Sequence, residues 1–152
     1  PDRLCSTNYS LNYARTGAKV FTGTITAILL GTLIWTIVVL APFLHVTIDI
    51  KTTESTVNVS SCGYTSSINI DDIIELKLMD KLPDDHFFKS NGGATESYLV
   101  GRFKGNTYGK CSLYIFKDVS PVLMIKTADQ TVFINSKKNG EIVNLYNTIK
   151  DK

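Results

Sequence analysis

The sequence predicts a mainly β fold: a small β-sandwich or barrel of about seven antiparallel strands with a C-terminal helix, preceded by one transmembrane helix. Three observations lead to this fold class. Residues 20–44 contain no charged side chain, short segments after residue 45 alternate apolar and polar residues, and the last segment has apolar residues at helical spacing. We therefore divide the chain into an N-terminal segment 1–19, a transmembrane helix 20–44 and a single domain 45–152.

The uncharged run is long enough to cross a bilayer. Its 25 residues would form a helix of about 37 Å, and a hydrocarbon core is about 30 Å thick. A buried core helix is usually shorter and interrupted by polar residues, while the apolar part of a cleaved signal peptide spans about 7 to 15 residues. The run therefore predicts a retained, single-pass membrane helix whose partner is the membrane bilayer.

The basic residues beside this helix predict its orientation. Arg3, Arg15 and Lys19 precede it, whereas only Lys51 follows it within about 20 residues. Because basic residues are enriched on the cytoplasmic side, we expect a cytoplasmic N-terminus and an extracellular domain at the cell membrane.

The domain after the helix has no net charge. The whole chain carries 16 basic and 14 acidic residues, and residues 45–152 hold thirteen of each. Because a nucleic-acid-binding protein usually presents a strongly basic surface, we expect no nucleic-acid partner. The length of this part is typical of one domain with its own core.

Alternating apolar residues predict seven or eight short strands, and Val46, Ile48 and Ile50 on one face of the first are an example. Residues 80–95 are polar and rich in Asp, Asn and Gly, so we expect a long loop there. Residues 128–130 are short enough for a hairpin turn. The predicted strands are 45–51, 56–60, 64–70, 74–79, 98–104, 109–117, 122–127 and 131–135.

The segment 138–150 predicts an amphipathic helix. Its apolar residues recur mostly at spacings of three and four, which places them in one stripe. Such a stripe must lie against the sheets or cap one end of them. The residues of the stripe are Ile142, Val143, Leu145, Tyr146 and Ile149.

Short motifs follow one another in a recognisable order between residues 46 and 150. They are IDDI at 70–73, ELKL at 75–78, LP at 82–83, SNG at 90–92, GRF at 101–103, YGK at 108–110, LYI at 113–115, IKT at 125–127, FIN at 133–135 and LY at 145–146. In this order they resemble the bacterial pleckstrin-homology-like (bacterial PH) domains of membrane-anchored proteins, mostly from Gram-positive bacteria. One departure is Gly93-Ala94, where the family pattern has a bulky residue after Asn91-Gly92.

The resemblance implies a fold of two near-orthogonal antiparallel sheets, with a C-terminal helix closing one open end. It also implies a scaffold used for binding rather than catalysis. It supplies no ligand, because a fold alone does not determine function.

The sequence contains no motif that indicates catalysis. There is no nucleophile-elbow sequence, zinc-protease motif or phosphate-binding loop, and the only histidines are His45 and His86. Asp84, Asp85 and His86 could be read as metal ligands, but three adjacent residues rarely converge on one ion, and a solvated charged loop explains them better. We therefore predict a non-enzyme without cofactor or metal site.

The candidate binding residues are Arg102, Lys104, Tyr108 and Lys110. Alternation along the predicted strand places Arg102 and Lys104 on one face, where clustered cations could bind anionic headgroups. The alternative interpretation is an ordinary solvated strand face.

The membrane helix has small residues at every fourth position, namely Gly23, Ala27 and Gly31. Such a stripe lets two helices approach closely, so we expect packing against another membrane helix, either a second copy or a partner's. Small residues are also common in membrane helices without such a role.

Three cysteines, Cys5, Cys62 and Cys111, show no metal-ligand spacing. If the domain is extracellular, Cys62 and Cys111 could form a disulfide; otherwise both are free thiols. The sequence leaves both alternatives open.

Two functional interpretations follow from these observations. The first is a membrane-anchored, non-catalytic module for protein interaction or scaffolding. The alternative is a lipid- or cell-envelope-binding domain that uses the loop 80–95 or the strands around Arg102 and Lys110.

Overall fold

The computed structural model describes residues 13–151, and the predicted features at Arg3 and Cys5 lie outside this range. The chain divides into two compact units, and the boundary lies between Ala41 and Pro42 in the sequence. Each unit is described by itself below.

The described part of the first unit contains one long helix, α1, which spans Thr16–Leu40 and is followed in the chain by a short 3-10 turn, Ala41–Phe43. None of the residues of α1 is buried. The segment Thr16–Phe43 has 28 residues and a mean hydropathy of 2.3, so it is long and apolar enough to cross a membrane. The hydroxyls of Thr32 and Thr36 donate hydrogen bonds to helix carbonyls at 2.9 and 2.8 Å, so these polar groups are satisfied within the helix. The helix begins four residues earlier than the predicted 20–44 and also ends earlier.

Within residues 13–151, the second unit contains nine strands in two sheets and a C-terminal helix, α2, at Glu141–Lys150. The first sheet has the order β1-β2-β3 and the second has the order β4-β8-β9-β7-β6-β5. A 3-10 turn, Ile70–Asp72, joins them. The strands are β1 Asp49–Thr52, β2 Thr56–Ser61, β3 Tyr64–Asn69, β4 Glu75–Met79, β5 Phe87–Ala94, β6 Tyr98–Gly105, β7 Gly109–Phe116, β8 Val122–Lys126 and β9 Thr131–Ile134.

The mainly β fold class with a terminal helix is confirmed, but two details of the prediction are wrong. The predicted loop 80–95 contains the strand β5, which pairs with β6 at the edge of the second sheet. The pairing of β7 with β9 is parallel, so the strands are not all antiparallel. The hairpin turn at 128–130 is correct, because β8 and β9 pair directly on either side of it.

The sequence does not predict β5 because this strand contains glycines, which are usual in loops. In the structure these glycines allow β5 to approach β6 closely. A Cβ at Gly92 would lie 2.2 Å from the carbonyl oxygen of Val100, and a Cβ at Gly101 would lie 2.5 Å from that of Asn91. Both glycines have positive φ, 153° and 123°. Glycine is therefore required by the pairing here, although its presence is usual in loops.

The apolar residues form two clusters. The first lies between the two sheets and α2, and it includes the alternating Val57 and Val59 of β2 together with Ile68 of β3. The second cluster lies on the other face of the six-stranded sheet, around Phe103, Leu113 and Phe133. The six-stranded sheet therefore buries apolar residues on both faces.

The terminal helix confirms the predicted stripe at every residue except Val143. Ile142, Leu145 and Ile149 are buried and Tyr146 is half-buried, whereas Val143 is partly exposed. The helix starts at Glu141 rather than at residue 138, because Gly140 before it is left-handed with φ 75°.

One buried side chain ties the end of β9 to the end of β7. The Asn135 amide donates to the carbonyl oxygens of Phe116 and Val119 at 2.7 and 2.8 Å, and its oxygen accepts from the Phe116 N–H at 2.7 Å. The side chain is fully buried, so these bonds are made without competition from solvent.

We predict that Asn135→Ala lowers the free energy of unfolding by about 3 kcal/mol, because it removes three hydrogen bonds and leaves the buried N–H of Phe116 without a partner. Urea unfolding of the full chain in detergent micelles measures this. The matched control Asn139→Ala, at an exposed position, should change stability by less than about 0.5 kcal/mol. Equal effects of the two substitutions would contradict the assigned role.

Candidate functional site

A polar cleft of about 500 Å³ opens between the edge of the three-stranded sheet and the β6–β7 hairpin. Its basic side chains are Arg102 and Lys110, two of the four residues selected from the sequence. The remaining lining is mostly hydroxyl or amide groups. Those residues are Thr65, Ser66, Ser67, Ser90, Ser112 and Gln130, with Asp129 at one end.

Strand register places three cations on one face of the hairpin. Lys104 pairs directly with Lys110, and Arg102 pairs with Ser112. Phe103, between the two β6 cations, is buried on the opposite face, as the alternation predicts. Lys104 shares the face but does not line the cleft. Among residues 13–151, no carboxylate lies within ion-pairing distance of these three exposed cations.

The structure separates Tyr108 from these cations. Its ring packs edge-on against Phe133, with ring centroids 5.2 Å apart, in the second apolar cluster. Tyr108 lies in the turn between β6 and β7, where strand alternation no longer determines which face a side chain takes. Tyr108 therefore does not share the face of Arg102 and Lys110, and its role in binding stays a prediction.

The floor of the cleft is a buried pair of hydroxyls. The Ser66 Oγ lies 2.9 Å from the Tyr114 hydroxyl, which joins β3 to β7. Burial raises the pKa of Tyr114 above its ordinary value of 10.0, although the bond to Ser66 and the nearby Arg102 cation both oppose the shift. The Tyr114 hydroxyl is therefore neutral at physiological pH.

Residues 48–149 match the family model described as the bacterial PH domain, which covers about two thirds of the chain. The chain belongs to the bacterial PH domain family. Neither the curated proteins nor the solved structures that were compared include a match.

A second cleft of the PH domain, about 600 Å³, continues from the first and shares Ser67, Asp129 and Gln130 with it. It follows the rest of β3 through Asn69 and is acidic, because Asp71 and Asp72 also line it. We call the two clefts together the β3 groove, with a basic half around Arg102 and Lys110 and an acidic half around Asp71, Asp72 and Asp129.

Ile74 lies beside the acidic half. The sequence pattern placed it with Leu76 and Leu78, both half-buried, but Ile74 is 67 % exposed. It precedes β4, and its N–H donates to the carbonyl oxygen of Lys126.

The start of the PH domain contacts the turn before β3 and the beginning of β6. The carbonyl oxygens of Pro42 and Phe43 accept hydrogen bonds from Cys62 and Tyr98, at 3.3 and 3.1 Å. Tyr98 begins β6, and Arg102 lies four residues farther along the strand, about 13 Å away. Cys62 lies three residues before Thr65, so the chain enters the PH domain beside the end of β3 that lines the basic half.

Asp85, one of the residues considered as metal ligands, stabilises a turn. The Asp85 carboxylate accepts the Thr107 N–H at 3.1 Å and so holds the β6–β7 turn. Within residues 13–151, no group of three His, Cys, Asp or Glu side chains could hold a metal ion.

Gly23, Ala27 and Gly31 are exposed on α1, and a Cβ at either glycine would meet no atom within 4 Å, so their packing role stays a prediction.

The hydroxyl residues of the cleft were not predicted from the sequence. Thr65, Ser66 and Ser67 form a short polar run in β3, opposite the apolar Val59 of β2, and this contrast was the available signal. Ser90 and Ser112 come from distant segments, and nothing in their local sequence relates them to β3.

Cys62 and Cys111 are free thiols in the PH domain. Cys62 packs against the first apolar cluster and Cys111 belongs to the second, on the other face of the six-stranded sheet. The disulfide alternative is therefore not the state that the structure shows.

We predict that iodoacetamide modifies Cys62 at least about tenfold faster than Cys111 in the folded chain at pH 8, because the thiolate is the reactive form. Burial limits access to Cys111 and raises the pKa of its thiol above 9.0, whereas Cys62 is half-buried. Peptide mass spectrometry of the full chain in micelles measures both rates. Denaturation should make them equal, and equal rates in the folded chain would show that Cys111 is not protected.

Proposed function

We propose that this bacterial PH protein is a membrane-anchored, non-catalytic protein-interaction module. In this proposal α1 anchors the chain as a single-pass helix, with the N-terminus cytoplasmic and the PH domain extracellular. The PH domain then binds a partner protein in the β3 groove. The helix can also pack against a second membrane helix through Gly23, Ala27 and Gly31. The β3 groove is the observation that carries the proposal.

The charges of the β3 groove favour a protein partner over a lipid headgroup. A site for anionic headgroups needs clustered cations without competing carboxylates. Here Asp71, Asp72 and Asp129 line the same groove as Arg102 and Lys110. A polypeptide can carry both signs of charge in one segment, so it complements both halves.

The chemistry of the β3 groove supports the absence of catalysis. A serine nucleophile needs a neighbouring general base, and the hydroxyl beside Ser66 is that of Tyr114. Because burial raises the pKa of Tyr114, this hydroxyl stays protonated near neutral pH and cannot serve as that base. Arg102 and Lys110 are cations, which suit binding.

One observation favours the alternative of an anionic lipid or cell-envelope polymer. Phe88 of β5 is 61 % exposed and pairs with Lys104, which in turn pairs with Lys110. A row of one aromatic residue and two cations is typical of surfaces that contact anionic bilayers. This row lies beside the β3 groove, and the experiment below separates the two ligand classes.

We predict that a photo-cross-linking amino acid at Ser90, which lines the groove, forms a discrete protein adduct in membranes of cells that make the full chain. The matched control is Ser97, an exposed serine at the other end of β6, which should form none. Adding Arg102→Glu should reduce the adduct by at least about tenfold, equivalent to 1.4 kcal/mol. Lys104→Glu, which reverses a charge outside the groove, should leave the adduct unchanged.

The outcomes separate the two functions. Adducts with lipid or polymer alone, equally sensitive to Arg102→Glu and Lys104→Glu, would support the headgroup alternative and contradict the protein partner. The absence of any protein adduct specific to Ser90 would also contradict our proposal.

A further inference from the structure

The strand β3 has one unpaired edge, and the hydrogen-bond pattern shows which backbone groups lie on it. Beyond the paired strands, the N–H of Ile70 donates to the carbonyl of Ser55 at 2.9 Å. Hydrogen-bonded pairs alternate along an antiparallel ladder. The bonded pairs of β2 and β3 are therefore those of Tyr64, Ser66 and Ile68 with their β2 partners.

The alternate residues of β3 consequently direct their backbone groups away from β2. These residues are Thr65, Ser67 and Asn69, and all three line the β3 groove. Within the described range 13–151, no other strand pairs with this edge, and no backbone hydrogen bond satisfies these groups. Three N–H and three C=O groups thus face the groove, as in the sheets to which a peptide strand can be added.

The charge of the groove changes sign along β3. Arg102 and Lys110 line the part beside Thr65 and Ser66, whereas Asp71 and Asp72 line the part beside Asn69. Asp129 lies where the two halves meet. A strand bound along β3 would therefore meet cations at one end and carboxylates at the other.

We propose that an extended segment of a partner protein adds to β3 as an antiparallel fourth strand of the first sheet. Because β3 runs from the basic half to the acidic half, an antiparallel segment passes first through the acidic half. Its N-terminal half carries basic residues and its C-terminal half carries acidic residues. This inference rests on the proposed protein-interaction function and names the form of the ligand.

The walls of the groove favour a single strand over a second copy of this chain. The β6–β7 hairpin and the β8–β9 turn both line it, through Arg102, Lys110 and residues 127–130. A second copy would bring the same walls beside its own β3, and the two sets would collide. A single extended segment has no such walls.

The experiment uses two blocked peptides of identical composition, KVKTVETE and its reverse, ETEVTKVK. Fluorescence polarisation measures the binding of each to the full chain in detergent micelles. KVKTVETE should bind at least about tenfold more tightly, because only its charge order matches the groove in the antiparallel direction.

Proline substitution tests whether the β3 edge makes the contact. Ser67→Pro removes one outward N–H without removing a ladder bond, as proline is tolerated at such edge positions. It should weaken the binding of KVKTVETE at least about tenfold. The matched control is Thr52→Pro on β1, whose N–H also faces outward, on the opposite edge of the same sheet. This control should bind normally.

A charge variant keeps the test decisive if Ser67→Pro melts at a lower temperature than Thr52→Pro. Arg102→Glu combined with Lys110→Glu should abolish the preference between the two peptides to within about twofold. A preference that survives in this variant would overturn the charge assignment.

Three further results would overturn the inference. They are equal binding of both peptides, no binding of either, and Ser67→Pro converting a dimer of the chain into a monomer. The first two leave the Ser90 cross-link as the separate test of a protein partner, so failure of strand addition is distinguishable from failure of the proposed function.

Discussion

The hydrogen bond between Ser66 and Tyr114 joins the three-stranded sheet to the six-stranded sheet beside the β3 groove. Both residues are buried, and their hydroxyl oxygens are 2.9 Å apart. The bond therefore links β3 of one sheet to β7 of the other. On one side of this pair lies the apolar interior, and on the other side lies the polar groove. Because unsatisfied buried hydroxyls are costly, the two strands are constrained to keep this position.

The turn before β3 fixes what the strand presents to the groove. Cys62 and Gly63 both have positive φ, 50° and 81°, as a two-residue hairpin turn of the favoured hand requires. This turn sets the register, which directs the backbone of Thr65 and Ser67 outward and the Ser66 side chain inward. A slip of one residue would invert both, so a turn that does not itself line the groove controls the shape of the groove.

The sequence reveals the parts of this protein that rest on local periodicity. The apolar run predicts α1, the alternation of Val57 and Val59 predicts β2, and the spacing of Ile142, Leu145 and Ile149 predicts α2. The alternation of Arg102 and Lys104 also predicts their shared face. Each of these features repeats with the period of its own helix or strand, so one segment contains the whole signal.

The features that the sequence did not reveal depend on contacts between distant segments. The strand β5 is not predicted from the sequence, because the need for Gly92 arises only from its close pairing with β6. The parallel pairing of β7 with β9 likewise has no local pattern in the sequence. The face on which Tyr108 lies could not be predicted, because strand alternation ends at a turn. The β3 groove combines residues from β3, β6, β7 and two turns, and only the fold brings them together.

The central claim is that the outer edge of β3 is open and available for a partner strand. Amide hydrogen exchange of the full chain in micelles, followed by NMR, tests this directly. The account predicts that the amides of Thr65, Ser67 and Asn69 exchange at least about tenfold faster than those of Tyr64, Ser66 and Ile68. Equal protection of all six amides would show that the edge is already covered, and it would contradict the account.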